Sequence, residues 1–160
     1  MSKRGAVLAG RIMAELNEIS ILVDRVEKGM QKAKAQSDDF YIDSVALNLH
    51  GFYSGVERIF EKIAALIDES VPDGANWHQE LLNQMSTEIP GVRPAAISVE
   101  LKEKLEEYRG FRHVVRNVYT YHLDPNKLKP LVKNIKIVMK GLKKELSAFA
   151  RFIQKAEENK

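Results

Sequence analysis

The residues best suited to chemistry lie in one run, Tyr108-Arg109-Gly110-Phe111-Arg112-His113-Val114-Val115-Arg116-Asn117-Val118-Tyr119-Thr120-Tyr121-His122. Arg109, Arg112 and Arg116 recur at steps of three and four, the spacing of one helix face, and His113, Asn117, Tyr119, Tyr121 and His122 are interleaved with them. Arginine holds phosphate through bidentate, charge-assisted hydrogen bonds, and histidine exchanges protons near neutral pH. The run therefore has the means to stabilise an anionic substrate and to move a proton. The same pattern also fits an amphipathic helix whose arginines bond the ends of neighbouring helices or acids such as Glu57 and Glu61.

A second basic feature is a lysine stripe. Lys129, Lys133, Lys136, Lys140 and Lys143 fall at steps of four, three, four and three, and residues 125–144 contain no acid. The helix dipole accounts for cations only in a last turn, whereas this stripe begins near the start of its segment. Contact with a phosphate backbone would explain it, and so would a solvated helix face. The charge is also unevenly divided. Residues 1–80 carry 9 Lys and Arg against 13 Asp and Glu, residues 81–160 carry 16 against 9, and the formal net charge of +3 hides a basic C-terminal half suited to a polyanion.

Other chemistries lack their parts. The four histidines, His50, His78, His113 and His122, include no pair at the i, i+4 spacing that shares a metal from one helix, so no metal site is expected. Gly51 and Gly55 lack the following Lys-Ser/Thr of a phosphate loop, and no Gly-x-Ser-x-Gly elbow occurs. With no cysteine there is neither thiol catalysis nor a disulfide framework, and no cofactor is expected.

The elements that must carry these residues read as helices throughout. Leu8, Ile12, Leu16, Ile19, Val23, Val26 and Met30 mark a first helix that ends in the thirties, and Val45, Leu49, Phe52, Val56, Ile59, Ile63 and Leu66 a second that ends in the loop 68–74. Gly51 and Gly55, costly inside a helix, suit the close approach of a neighbour. Trp77, Leu81 and Met85 predict a short helix over about residues 75–88, and Pro90, Gly91 and Pro94 forbid its continuation. Ser98 fits the N-cap of the motif helix, and Asp124 with Pro125 opens a last helix through Leu128, Leu131, Ile135, Val138, Leu142, Leu146, Phe149 and Ile153. No sustained period-2 pattern occurs. The expected fold is all-α, an antiparallel up-and-down bundle of four long helices plus a shorter one, in a single domain over residues 1–160. The longest apolar cluster, residues 63–67, falls far short of the ~20 residues of a membrane span, and polar residues interrupt any signal-peptide core, so a cytoplasmic protein with no membrane partner is expected.

Laid against known families, the run from Phe111 to Tyr119 resembles the motif of HEPN proteins, in particular the HepT-like ribonuclease toxin branch, which carries Arg-x4-His-x-Tyr late in its fourth helix. Phe111, Arg112 and Tyr119 match. The segments Gly51 to Phe60 and Trp77 to Leu82, and the motif helix followed by Asp-Pro and a long last helix, look like the same branch, so the likeness covers roughly residues 5–150. One departure bears on function: Asn117 stands at the position of the family's histidine, giving Arg-x4-Asn-x-Tyr, and His113 at a polar position usually held by Asn.

The resemblance implies an HEPN-like bundle acting as a metal-independent endoribonuclease in a bacterial toxin–antitoxin pair, with an RNA cleft built across a homodimer. In that chemistry a ribose 2′-hydroxyl attacks the adjacent phosphodiester, Arg112 stabilises the developing charge and a histidine transfers the proton. Asn117 can orient a phosphate but exchanges no proton at neutral pH. Three readings follow: His113 takes over proton transfer; His122 does so at Arg116-x5-His spacing; or the site is degenerate and the protein binds a nucleotidyltransferase partner, nucleic acid or nucleotide without cleaving. The catalytic candidates are thus Arg112, His113, Asn117 and His122, and the RNA-binding candidates Arg109, Arg116, Lys129, Lys133, Lys136 and Lys140. The resemblance also implies a partner, typically a minimal nucleotidyltransferase antitoxin, which in some systems adds AMP to the motif tyrosine, here Tyr119, while Tyr108 and Tyr121 read as packing residues.

Overall fold

A computed structural model describes residues 3–117 and 123–159, with nothing taken from the side chain of Arg116. Helix α1 spans Arg4–Gln36 and buries the seven predicted apolar positions from Leu8 to Met30. It stops where Ser37 turns into the left-handed region at φ 49°, and the Asp38 carboxylate then accepts the Phe40 N–H at 3.0 Å to start the next helix. Helix α2, Phe40–Ile63, runs back along α1 and continues into one wider turn over Ala64–Asp68. Gly51 and Gly55 sit against α1: a Cβ at Gly55 would collide with Ile19, and one at Gly51 would press on Leu22. Their use is the close approach expected from the sequence.

Helix α3 is Trp77–Met85, shorter at both ends than the predicted 75–88. Gly74, at φ 89°, turns the chain just before it, and after it the hydroxyls of Ser86 and Thr87 both donate to the Asn83 carbonyl, at 3.0 and 2.8 Å, capturing the acceptor that a further turn would use. Helix α4 is described over Val99–Asn117, with Ser98 Oγ accepting the Leu101 N–H at 3.1 Å as its predicted cap. Helix α5, Pro125–Glu158, opens with Asp124 accepting from Asn126 at 2.9 Å and Pro125 at the first position, again as predicted. The fold is all-α and its helices pack antiparallel; among the described residues there is no strand beyond an isolated bridge between Ile89 and Arg93.

The core is a continuous apolar cluster fed by all five helices, with Phe52, Tyr53, Phe60, Leu81, Leu105, Leu128, Ile135 and Leu142 fully enclosed. Each such side chain contributes about 1.5–3 kcal/mol by leaving water. Tyr108 packs edge-on against Phe52 and donates its hydroxyl to the Leu131 carbonyl at 2.7 Å, which makes it the packing residue expected. Helix α2 touches α1, α3 and α4, so it is buried around most of its circumference, and that burial sets up the site described next. Among the described residues, no helix is long and apolar enough to cross a membrane.

Candidate functional site

Glu57 is a carboxylate on α2 of which only 3% is exposed. A buried charge needs partners, and two helices supply them. His78, the second residue of α3, meets Glu57 Oε2 through Nδ1 at 2.6 Å. Arg112, on α4, brings Nη1 to 3.5 Å from Glu57 Oε1, while its Nε donates to Ser54 Oγ at 3.3 Å one turn back on α2. The same Nη1 lies 3.3 and 3.4 Å from the two ring nitrogens of His78. Near-equal distances put the guanidinium against the imidazole ring rather than in line with one lone pair. The Trp77 ring packs on His78 with centroids 3.5 Å apart, so the imidazole is held by a carboxylate, a guanidinium and an indole.

Burial pushes the Glu57 carboxyl above the usual carboxylate range, and the His78 hydrogen bond and the Arg112 charge pull it part of the way back. Nearby, the Tyr53 hydroxyl is fully buried with no hydrogen-bond partner among the described residues. Burial first, and the Glu57 charge second, raise it far above the ordinary phenol value, so it stays protonated.

Arg112 and His78 open on a pocket of about 230 Å3 whose wall also includes Asn76, Gln79, Arg109 and His113. Arg109 forms an ion pair with Glu106 at 2.8 Å and keeps about a quarter of its side chain exposed. The pocket thus has two guanidinium groups and two imidazoles on its wall. A larger cavity, about 680 Å3, lies at the α1–α2 turn among Asp38, Asp39, Asp43, Phe40, Leu123 and Pro125; its acids make it unsuited to an anion.

The predicted residues divide. Arg112, Arg109 and His113 come together at the pocket. Asn117 is exposed and spends its amide nitrogen on the His113 carbonyl one turn back, at 2.7 Å. Lys129, Lys133, Lys136 and Lys140 are all exposed on α5, and none lines the pocket. Lys136 reaches Glu27 of α1 at 3.3 Å, whereas Lys127 borders the groove between α5 and α4, so the stripe lies on the side of α5 away from the motif helix. The side chain of Arg116 and the whole of Tyr119, Tyr121 and His122 lie outside the described residues. Among the described residues no three His, Asp or Glu side chains gather as a metal site would need.

The sequence offers Glu57 as a partner for an arginine, which it is, and His78 among the histidines weighed as metal ligands; both lie in the segments that carry the family likeness, with no role assigned there. Ser54 was not singled out. One signal was available: Tyr53, Glu57, Phe60 and, in the turn that follows, Ala64 trace a second stripe along α2, and Glu57 is the charge within that otherwise apolar stripe.

A model of the family described as HepT-like protein matches residues 44–153, more than two thirds of the chain, and the matched stretch contains Ser54, Glu57, His78 and Arg112. No curated protein and no solved structure gives a significant match. The chain belongs to the HepT-like protein family of the HEPN superfamily.

Proposed function

We propose that this HepT-like protein acts on RNA as a metal-independent endoribonuclease, with Arg112 stabilising the negative charge that develops on the scissile phosphate. The observation that carries this reading is the setting of Arg112. Its guanidinium is positioned by Ser54 and Glu57 and opens on a small pocket shared with His78, Arg109 and His113. At about 230 Å3 the pocket is below the usual range of roughly 300–1,000 Å3 for ligands enclosed whole, and it suits one phosphate with part of its ribose. Positioned donors aimed at developing charge typically supply about 10²–10³-fold in rate.

Arg109 adds to the positive field at the pocket, Arg116 is a further RNA-binding candidate by its place in the sequence, and Lys129, Lys133, Lys136 and Lys140 offer a second phosphate-binding face on α5. Because the lysines face away from the pocket, one RNA engages both surfaces only by wrapping the bundle or by crossing a second copy. A homodimer through α4 meets that requirement, since a two-fold axis brings two Arg112 pockets toward one cleft. Val114, half exposed on α4, is an apolar residue available to such a contact. The partner we propose is a minimal nucleotidyltransferase antitoxin, with Tyr119 as its modification site.

The test is cleavage of single-stranded RNA by the purified protein in excess EDTA. Products ending in a 2′,3′-cyclic phosphate support the reading, and RNA binding without any product refutes the enzymatic part. The second reading, a bundle that binds a partner, nucleic acid or nucleotide without cleaving, is favoured by Asn117, which brings no proton-transfer group and is turned onto its own helix.

A further inference from the structure

We propose that His78, held in place by Glu57, is the proton-transfer residue of the Arg112 pocket, a role that the motif position Asn117 cannot fill; the inference rests on the ribonuclease reading above. The argument starts from the hydrogen bond of 2.6 Å between His78 Nδ1 and Glu57 Oε2. A carboxylate at Nδ1 selects the tautomer with its proton there, leaves the lone pair on Nε2 and stabilises the imidazolium that forms when Nε2 takes a proton. Glu57 is itself fixed, enclosed in the core and facing Arg112. The imidazole borders the pocket with 21% of its side chain exposed, so the ring is open to a substrate there.

The competing histidine lacks this support. His113 is exposed at the pocket rim, and no carboxylate pairs with it among the described residues. Arg112 lies within 3.4 Å of both His78 ring nitrogens, so a phosphate held by that guanidinium is delivered beside the imidazole. The groups that set the behaviour of the ring are Glu57 from α2, with Glu61 one turn further along it, and Arg112, Arg109 and His113 from α4.

The step balances as follows. His78 Nε2 takes the proton of the ribose 2′-hydroxyl as O2′ forms its bond to phosphorus. The P–O5′ bond breaks, O5′ takes a proton from water, and the products are a 2′,3′-cyclic phosphate and a 5′-hydroxyl. His78 then returns its proton to solvent. Glu57 is a positioning residue that acts through His78.

The experiment is the pH–rate profile for cleavage of a short single-stranded RNA by the full chain, comparing wild type, His78→Gln, His113→Gln and Glu57→Gln, with RNA affinity measured beside each. The expected result is a rate that rises with pH in the wild type, as a general base requires, and in His113→Gln a loss smaller than that of His78→Gln with the rise retained. His78→Gln loses about 10²-fold or more and loses the pH dependence while still binding RNA. Glu57→Gln lowers kcat and leaves KM and RNA affinity in place, because the imidazole has lost the carboxylate that orients it. Should His78→Gln not fold, His78→Gly with added imidazole supplies the same information through rescue of cleavage. Wild-type cleavage that survives in His78→Gln, or is lost in His113→Gln with His78→Gln active, overturns this inference and leaves the ribonuclease reading standing. A wild type that yields no product overturns both.

Discussion

Arg93 and Arg112 each face a buried carboxylate, and they are built to opposite ends. Arg93 lies in the proline-rich connection between α3 and α4 with its side chain fully enclosed. All five of its N–H donors are used: Nε and Nη2 grip the Asp68 carboxylate at 2.5 and 2.8 Å, and the remaining bonds go to the carbonyls of Gln84, Thr87 and Pro94. Arg112 has the looser arrangement. Its contacts are longer, at 3.3–3.5 Å, no hydrogen bond engages Nη2 among the described residues, and 18% of the side chain faces the pocket. A guanidinium whose donors are all consumed ties a loop to the bundle. One that is positioned but not saturated still has capacity for an anion.

The largest effect that would sharpen this contrast is on stability at Arg93. Arg93→Ala leaves Asp68 buried with only the Gln84 amide for company, and is expected to cost about 3–5 kcal/mol in urea or guanidinium denaturation. A loss below 1 kcal/mol would break the contrast. Arg93→Lys should recover little of it, since an ammonium cannot reach five acceptors in the plane of a guanidinium.

Arg112→Ala should invert the pattern, with a stability loss of only about 1–2 kcal/mol and a fall of about 10²-fold or more in cleavage rate. If it destabilises as much as Arg93→Ala, both arginines are fasteners and the pocket loses its argument. A smaller, several-fold effect is expected from the α5 lysines. Lys133→Ala with Lys140→Ala should lower the slope of log affinity for single-stranded RNA against log salt by about 0.7 per phosphate contact removed, without changing the pH dependence of cleavage. An unchanged slope assigns the stripe to solvent.

The smallest effect comes from Glu57. Burial raises its carboxyl, so between the ordinary value near 4.5 and the raised native value the folded state holds a proton that the unfolded state has lost. Stability is therefore expected to fall as pH rises through that window. Glu57→Gln lacks the slope, so denaturation followed upward from pH 4.5 should show the variant gaining on the wild type with rising pH. The trend is shallow because His78 and Arg112 offset the burial. A variant that loses ground with rising pH would mean that these partners outweigh it.

The two arginines were unequally legible in the sequence. Arg112 was found because its helix repeats arginine at helical spacing and carries the family motif. Arg93 sits among Pro90, Gly91 and Pro94, which say only that no helix continues, and its partner Asp68 is placed by the wide turn Ala64–Asp68 that the apolar periodicity of α2 does not reveal. The helices themselves were read closely, down to the caps at Ser98 and Asp124, because periodicity and capping are local properties. His78 was passed over for the opposite reason. Its meaning comes from α2, α3 and α4 converging, and contacts between residues 21 and 34 positions apart leave no local trace. His122 and Tyr119, which the motif also brought forward, lie outside the described residues.

The central claim is that the Arg112 pocket binds and activates an RNA phosphate. Its most direct test is single-turnover cleavage of a short single-stranded RNA in EDTA by the wild type and by Arg112→Ala, each first shown to be folded by denaturation. The account predicts a product with a 2′,3′-cyclic phosphate from the wild type and a rate lower by about 10²-fold or more in the variant. Equal rates, or no product from the folded wild type, would contradict it.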